Sequence, residues 1–233
     1  DDADVIAAPD LDSDTTDANF GEIFGNGGDD EISVYHQFTY SVQGGEGNDT
    51  ITVNDGDGVH VDADAESEDP VKQFLSGDDG DDSIISAGGD DFLYGDAGND
   101  TLDAGLGSDE VYGGDGDDLY IHGSSGQDAD TFDGGEGVDT FYADLSSLDA
   151  DAIDLEIDLS ETEDNAGSVG NTEGRDTLVN VENIEIVGSI DMNIIGSDAD
   201  NSIKTGSGND TIQATAGDNT LETGAGADII GVA

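Results

Sequence analysis

Residues 77–121 divide without remainder into five nonapeptides, GDDGDDSII, SAGGDDFLY, GDAGNDTLD, AGLGSDEVY and GGDGDDLYI. Their eighth positions are Ile84, Leu93, Leu102, Val111 and Tyr120, and their sixth positions are Asp82, Asp91, Asp100, Asp109 and Asp118. A fixed short period means a solenoid, because a unit of this size cannot bury its apolar face alone and must stack on its neighbours. Within each unit the glycines permit positive φ and close backbone approach in a tight turn. The last three residues make a short strand with one side chain pointing inward. A Gly/Asp-rich chain of low hydrophobicity and high net charge would otherwise read as a disordered linker; the phasing of apolar residue and carboxylate argues for order.

The pattern G-G-x-G-x-D-x-U-x, where U is apolar, resembles the RTX, or haemolysin-type calcium-binding, repeat. Its cleanest copy here is GGEGNDTIT at residues 44–52. Calcium takes six to eight hard oxygen ligands, and one turn of glycine carbonyls with one Asp supplies about half of them. Adjacent turns must therefore share each ion. The resemblance implies two nonapeptides per coil, with Ile84, Leu102 and Tyr120 stacked on one wall and Leu93 and Val111 on the other. It places ions between Asp82 and Asp100, between Asp91 and Asp109, and between Asp100 and Asp118.

Carried residue by residue, the resemblance implies calcium ligands in each turn. The first are Asp30, then Gly44, Gly45, Gly47 and Asp49. In the tandem block they are Gly77, Asp79, Gly80 and Asp82; Gly89 and Asp91; Gly95, Gly98 and Asp100; Gly105, Gly107 and Asp109; and Gly113, Gly114, Gly116 and Asp118. Beyond it come Asp130, then Gly134, Gly135, Gly137 and Asp139. Near the C-terminus they are Gly206, Gly208, Asp210, Gly224, Gly226 and Asp228.

Four segments follow from the phase. Residues 1–24 have no nonapeptide register and read as an opening strand or cap; Asp10, Asp12 and Asp14 have EF-hand spacing, but Thr15 stands where glycine is needed and Gly21 where the bidentate acid belongs. Residues 25–142 form a first block with insertions. It opens on a degenerate repeat in which Asn26 replaces the second glycine, continues through the alternating Tyr35, Phe38, Tyr40 and Val42, and loses phase over residues 53–75. There Val59 and Val61 can continue the wall, and the acidic stretch 62–70 reads as a loop ending at Pro70, which cannot donate to a ladder. Residues 123–133 fit a repeat with two extra residues, and the aromatic cluster Tyr120, Phe132 and Phe141 suggests that the roll widens or ends there.

Residues 143–186 form an intervening β segment. Ile153, Leu155, Ile157 and Leu159 alternate with acids, as a half-buried strand does. Residues 161–174 read as a loop, and DTLVNVEN from Asp176 resembles a segment that precedes many RTX blocks. Residues 187–233 form a second, degenerate block with U positions Ile194, Ile203, Ile212, Leu221 and Ile230. Its sixth positions are Asn201, Asp210, Asn219 and Asp228, so fewer or weaker ions are expected.

Charge and composition narrow the function. The 59 acidic residues against three basic ones, Lys72, Arg175 and Lys204, give a formal net charge of −56. Such self-repulsion opposes compaction until cations neutralise it, so folding is expected to be coupled to ion binding. Nucleic acid, other polyanions and anionic lipid surfaces find no Lys/Arg patch here. The acidity also exceeds what ligation needs, which suits a saline or marine habitat. There is no cysteine, hence no disulfide or thiolate site, and no apolar run long enough for membrane insertion.

The three histidines, His36, His60 and His122, lack H-E-x-x-H spacing, so the zinc protease that accompanies these blocks in serralysins is not expected. They read as surface or wall residues. Ser124 and Ser125 have no G-x-S-x-G context. No carboxylate pair is singled out, and the N-D-T sequons at Asn48, Asn99 and Asn209 are explained by the repeat itself.

The expected fold is all-β, a right-handed parallel β-roll of roughly a dozen coils, on the order of 60 Å long at strand spacing. The expected protein is not an enzyme. It is an extracellular, secreted or cell-surface, calcium-binding structural protein that folds on calcium and self-assembles head to tail through its open sheet edges. The alternative is a folding and export module of a larger type I secreted enzyme or adhesin. The start at Asp1, without a signal-like segment, and the terminal ADIIGVA, similar to the ends of type I substrates, suit either a processed chain or export by a C-terminal signal. Millimolar external calcium suits weak sites that would be idle in the cytosol.

Overall fold

A computed structural model describes residues 4–7, 21–35, 40–54, 72–122, 129–146, 155–159, 167–171 and 174–232. Asp10 to Asp14, His36, Phe38, Val59, His60, Val61, the stretch 62–70, and Ser124 and Ser125 lie outside these residues.

Among the described residues every element is a strand, and the strands form two sheets. The ten-stranded sheet runs, in spatial order, Val5–Ala7, Glu31–Tyr35, Thr50–Asn54, Ser83–Ile85, Thr101–Asp103, Leu119–His122, Thr140–Asp144, Asn183–Val187, Ser202–Lys204 and Thr220–Glu222. The twelve-stranded sheet runs Gly21–Gly27, Tyr40–Glu46, Phe74–Asp79, Phe92–Ala97, Glu110–Asp115, Thr131–Glu136, Gly174–Val179, Gly167–Asn171, Leu155–Asp158, Met192–Ile195, Thr211–Ala214 and Ile229–Val232. Apart from Leu155–Asp158, Gly167–Asn171 and Gly174–Val179, which all join the twelve-stranded sheet, the chain alternates between the sheets, so each pair of strands is one coil of a parallel β-roll.

The register follows the apolar period. Ile51, Ile84, Leu102, Tyr120, Phe141, Ile184 and Ile203 stand opposite one another in succession on one wall. Val42, Leu75, Leu93, Val111, Phe132 and Leu178 do so on the other. All of these side chains are buried and belong to one core between the sheets. A parallel ladder in which equal residues stack at each step packs this way only if every U side chain points inward.

Three expectations change. The aromatic cluster does not end the roll, because Phe132 pairs onward with Leu178 and Phe141 with Ile184. The coil that contains it steps from Val111 to Phe132, which is 21 positions and three more than 18, so the insertion is three residues rather than two, and His122 is not among them, because it keeps ladder register with Ala143. The stretch 161–174 is not all loop: Gly167–Asn171 is a strand, antiparallel to both Gly174–Val179 and Leu155–Asp158. These are the antiparallel pairings among the described residues, and they carry the twelve-stranded sheet across the region without repeats. Ladder hydrogen bonds that the missing nonapeptides would have supplied are supplied by this hairpin.

Candidate metal centre

One edge of the roll brings together Asp30, Asp49, Asp82, Asp100, Asp118 and Asp139, each from the turn that leads from the twelve-stranded sheet into the other. All six are buried. Each uses Oδ1 to hold the coil before it: the backbone N–H of Asp30 donates to Asp49 Oδ1 (2.8 Å), Asp49 to Asp82 (2.6 Å), Asp82 to Asp100 (2.7 Å), Asp100 to Asp118 (2.8 Å) and Asp118 to Asp139 (2.8 Å). The other oxygen, Oδ2, is buried in all six without a hydrogen-bond partner among the described residues. An orphaned buried carboxylate oxygen is costly and calls for a ligand or a proton.

The electrostatics agree. Burial pushes Asp82 up to about 6 and Asp100 and Asp139 up to about 7, against the lowering effect of the backbone hydrogen bond each receives. Neighbouring carboxylates in the column add to the rise. Asp49 and Asp118 move in the same direction for the same first cause.

What those oxygens face is set by glycine. A methyl group placed on Gly25, Gly44, Gly77, Gly95, Gly113 or Gly134 would overlap the Oδ2 of the Asp five residues on and crowd a carbonyl oxygen of the next coil. On Gly95, for example, it would lie 2.5 Å from the Gly113 carbonyl oxygen. A carboxylate oxygen and a carbonyl oxygen from adjacent coils thus converge beside each first-position glycine. This all-oxygen, anionic donor set, shared between turns, fits calcium. The Asp Oδ2 atoms and the glycine carbonyls would hold it, and bound calcium would neutralise the buried charge and join coil to coil.

The second position of these turns needs a left-handed backbone, which glycine adopts at Gly45, Gly114 and Gly135. Asn26, Asp78 and Asp96 adopt it too, at φ 78°, 71° and 74°. Asn and Asp tolerate this region through local hydrogen bonding, so the substitution of Asn26 for glycine leaves the turn intact. At the fourth position Gly47, Gly80, Gly98, Gly116 and Gly137 have positive φ, and the N–H groups of the first four tie coils together, as in Gly80 to the Ala97 carbonyl (2.8 Å). Asp79 sits at the exposed end of its strand and contributes its carbonyl to the Gly47 N–H (2.7 Å).

The opposite edge is built differently. Asp91, Asp109, Asp130 and Asp176 repeat the Oδ1 ladder, with Asp91 N–H donating to Asp109 (2.7 Å), Asp109 to Asp130 (2.9 Å) and Asp130 to Asp176 (3.0 Å). Here the first position carries side chains, Ser86 and Ala104, in place of glycine. The Ser86 hydroxyl donates to Asp91 Oδ2 (2.5 Å) and the Tyr120 hydroxyl to Asp130 Oδ2 (2.8 Å); Asp109 Oδ2 alone of the four is buried without such a partner among the described residues. Burial raises Asp91 to about 6 and Asp109 to about 8. The expected pair Asp91 and Asp109 is therefore adjacent, but half of it is already satisfied by a hydroxyl. Gly89 has positive φ in its turn, and Gly105 and Gly107 meet backbone of the preceding coil rather than a carboxylate.

In the C-terminal block Thr205 Oγ1 donates to Asp210 Oδ2 (2.6 Å), and Asn201 Nδ2 donates to the Glu182 carbonyl (3.1 Å) and to Ser197 (3.0 Å). Asp210 N–H donates to Asp228 Oδ1 (3.1 Å). Gly206, Gly208 and Gly224 stack on backbone, and the Gly226 position also approaches Asp228. Among the described residues no sixth-position oxygen of this block is buried and unpartnered.

Two features escaped sequence reading. Glu182 takes the place of an Asp in the first column, its Oε2 accepting from Asp139 N–H (2.9 Å). The fifth positions form an exposed ladder of opposite sense, Asn99 N–H to Asp81 (2.8 Å), Asp117 N–H to Asn99 (2.7 Å) and Val138 N–H to Asp117 (3.0 Å). The signal was present, since Asp or Asn recurs at that position in most repeats.

A family model described as RTX calcium-binding nonapeptide repeat (4 copies) matches residues 41–58, 73–102, 85–120, 94–129, 122–146 and 195–230. These ranges together span more than half of the chain. No individual curated protein matches it.

Proposed function

Because the chain belongs to the family of RTX calcium-binding nonapeptide repeat proteins, we propose that it is an extracellular, non-enzymatic structural protein whose roll is assembled by calcium and then joined end to end with further copies. The observation that carries this reading is the column of six Asp residues with buried, unpartnered Oδ2 atoms beside first-position glycines. A cytosolic calcium level would leave oxygen sites of the weak extracellular class unfilled, whereas an external one fills them. Export in an unfolded, calcium-free form followed by folding outside is consistent with the charge of −56.

Assembly rests on the sheet edges. Val5–Ala7 and Ile229–Val232, which lie in the apolar segments 5–8 and 229–233 near the two ends of the chain, terminate different sheets. Val5 is 78% exposed and Ile229 64%. Continuation of both sheets from one copy to the next would set Ile229–Val232 beside Gly21–Gly27, and Val5–Ala7 beside Thr220–Glu222. Unpaired edges are templates for such addition. Light scattering and electron microscopy of the intact chain and of a chain ending at residue 228, each in millimolar calcium, test the idea. Calcium-dependent growth that the shortened chain loses is expected. A monomer at every concentration would leave the export-module reading in its place.

A further inference from the structure

One cluster on the second edge departs from the oxygen-only pattern. His122 ends the strand Leu119–His122 in ladder register with Ala143, and its imidazole faces two carboxylates of the next two coils. Its Nδ1 lies 3.5 Å from Asp176 Oδ2 and 3.7 Å from Asp130 Oδ2. The three ligand atoms all lie within 4.8 Å of one another. The side chains are 9%, 6% and 5% exposed, so the cluster is inside the roll.

Each member is positioned by something else. Asp130 and Asp176 spend their Oδ1 atoms on the ladder, accepting from Asp109 N–H (2.9 Å) and Asp130 N–H (3.0 Å), which aims their Oδ2 atoms at the imidazole. The Tyr120 hydroxyl donates to Asp130 Oδ2 (2.8 Å). The imidazole stacks on Phe141 at 5.6 Å between centroids, and Tyr120 meets its edge at 6.4 Å. Ladder hydrogen bonds and aromatic walls thus fix the ring and both carboxylates before any ligand arrives.

The distances choose between occupants. A direct imidazole–carboxylate hydrogen bond runs near 2.7–2.9 Å, and contacts at 3.6 Å are not hydrogen bonds. Ligands about 2.1 Å from a tetrahedral zinc stand about 3.4 Å from one another. The observed 3.5 and 3.7 Å match an edge of that tetrahedron. The donor set matches as well: calcium takes oxygen, whereas imidazole with carboxylates suits zinc and its first-row neighbours. We infer that His122, Asp130 and Asp176 form a buried site for a tetrahedral divalent transition metal such as zinc, separate from the calcium column on the other edge and with the Tyr120 hydroxyl supporting Asp130 from behind. Such a metal would pin the coil with the insertion to the coil that opens the non-repeat hairpin, where the roll has no nonapeptide turns to share calcium.

The test is a titration of the intact chain, saturated with calcium, with cobalt(II) as a visible probe. One equivalent should give tetrahedral d–d absorption that one equivalent of zinc displaces. The band should be lost in His122→Asn and in Asp176→Asn, both checked for a wild-type strand spectrum in calcium, and kept in the double variant His36→Asn/His60→Asn. Nitrogen NMR of the wild-type chain needs no variant: zinc should shift the Nδ1 resonance of one histidine. Absence of a one-equivalent band and of any histidine shift in the wild type, or a band that survives in a folded His122→Asn, would overturn the site and leave a buried ion pair in its place.

Discussion

Replacing Gly95 by alanine is the sharpest single perturbation of the calcium column. Its φ is not in the left-handed region, so the added methyl causes no backbone strain of its own; it meets Asp100 Oδ2, Asp100 Cγ at 2.9 Å and the Gly113 carbonyl oxygen at 2.5 Å. Overpacking of this kind costs about 1–3 kcal/mol. The methyl also occupies the point at which the two oxygens converge, so the ion there is lost; an ion present at about 100 times its dissociation constant contributes about 2.7 kcal/mol to stability. The sum is about 4–6 kcal/mol, comparable with the whole stability of a small domain. Gly88→Ala is the control, because there the methyl stands 3.4 Å from the nearest atom, the Leu106 carbonyl oxygen, and no carboxylate is within reach. Calcium titrations followed by circular dichroism and by calorimetry should show Gly95→Ala folding only at much higher calcium and binding fewer ions, with Gly88→Ala close to wild type. Equal behaviour of the two variants would refute the placement of the ions beside the first-position glycines.

Two further outcomes follow from the same column. Asp100→Ala removes both the acceptor for Asp82 N–H and the Oδ2 atom facing Gly95, whereas Asn219→Ala removes a half-buried amide that accepts from Asn201 N–H; calorimetry should therefore find a larger loss of calcium affinity in the first, and equal losses would contradict the assigned register. In chelator the pH dependence should be inverted relative to most proteins. Carboxyls whose folded values are raised to about 6 to 8, as at Asp82, Asp100, Asp139 and Asp109, bind protons more tightly when folded, so their contribution is fully present below the unfolded value of 3.8 and is lost as pH rises through 6 to 8. Strand signal of the metal-free chain should increase from pH 8 to pH 5, while calcium affinity should decrease over the same interval because the ion competes with protons.

Much of this was legible in the residues because the period carries it. Strict phasing of Ile84, Leu93, Leu102, Val111 and Tyr120 fixes which side chains face inward, and the 18-residue stacking follows once two turns make a coil. The difference between the two edges was less visible. Asp91 and Asp100 hold the same place in the nonapeptide, yet Ser86 gives one of them a hydroxyl where Gly95 leaves the other bare. That distinction lives five residues away from the Asp, at a position where the repeat tolerates small polar residues. The hairpin of Gly167–Asn171 was hidden because glycine and asparagine read as loop when no partner strand is known. His122 was hidden for a topological reason: its neighbours Asp130 and Asp176 are 8 and 54 positions away in sequence and meet it only through the coiling of the roll.

The central claim is that calcium, held by oxygens shared between coils, is what makes this acidic chain fold. Far-ultraviolet circular dichroism of the intact chain at neutral pH, first in excess chelator and then with calcium raised to millimolar levels, tests it most directly. The account predicts a largely disordered spectrum in chelator, since about 1–2 kcal/mol of backbone entropy per residue is opposed by a thin core and by the repulsion among buried carboxylates. A cooperative rise to a strand spectrum should follow as calcium is added. An unchanged strand spectrum in chelator would contradict it.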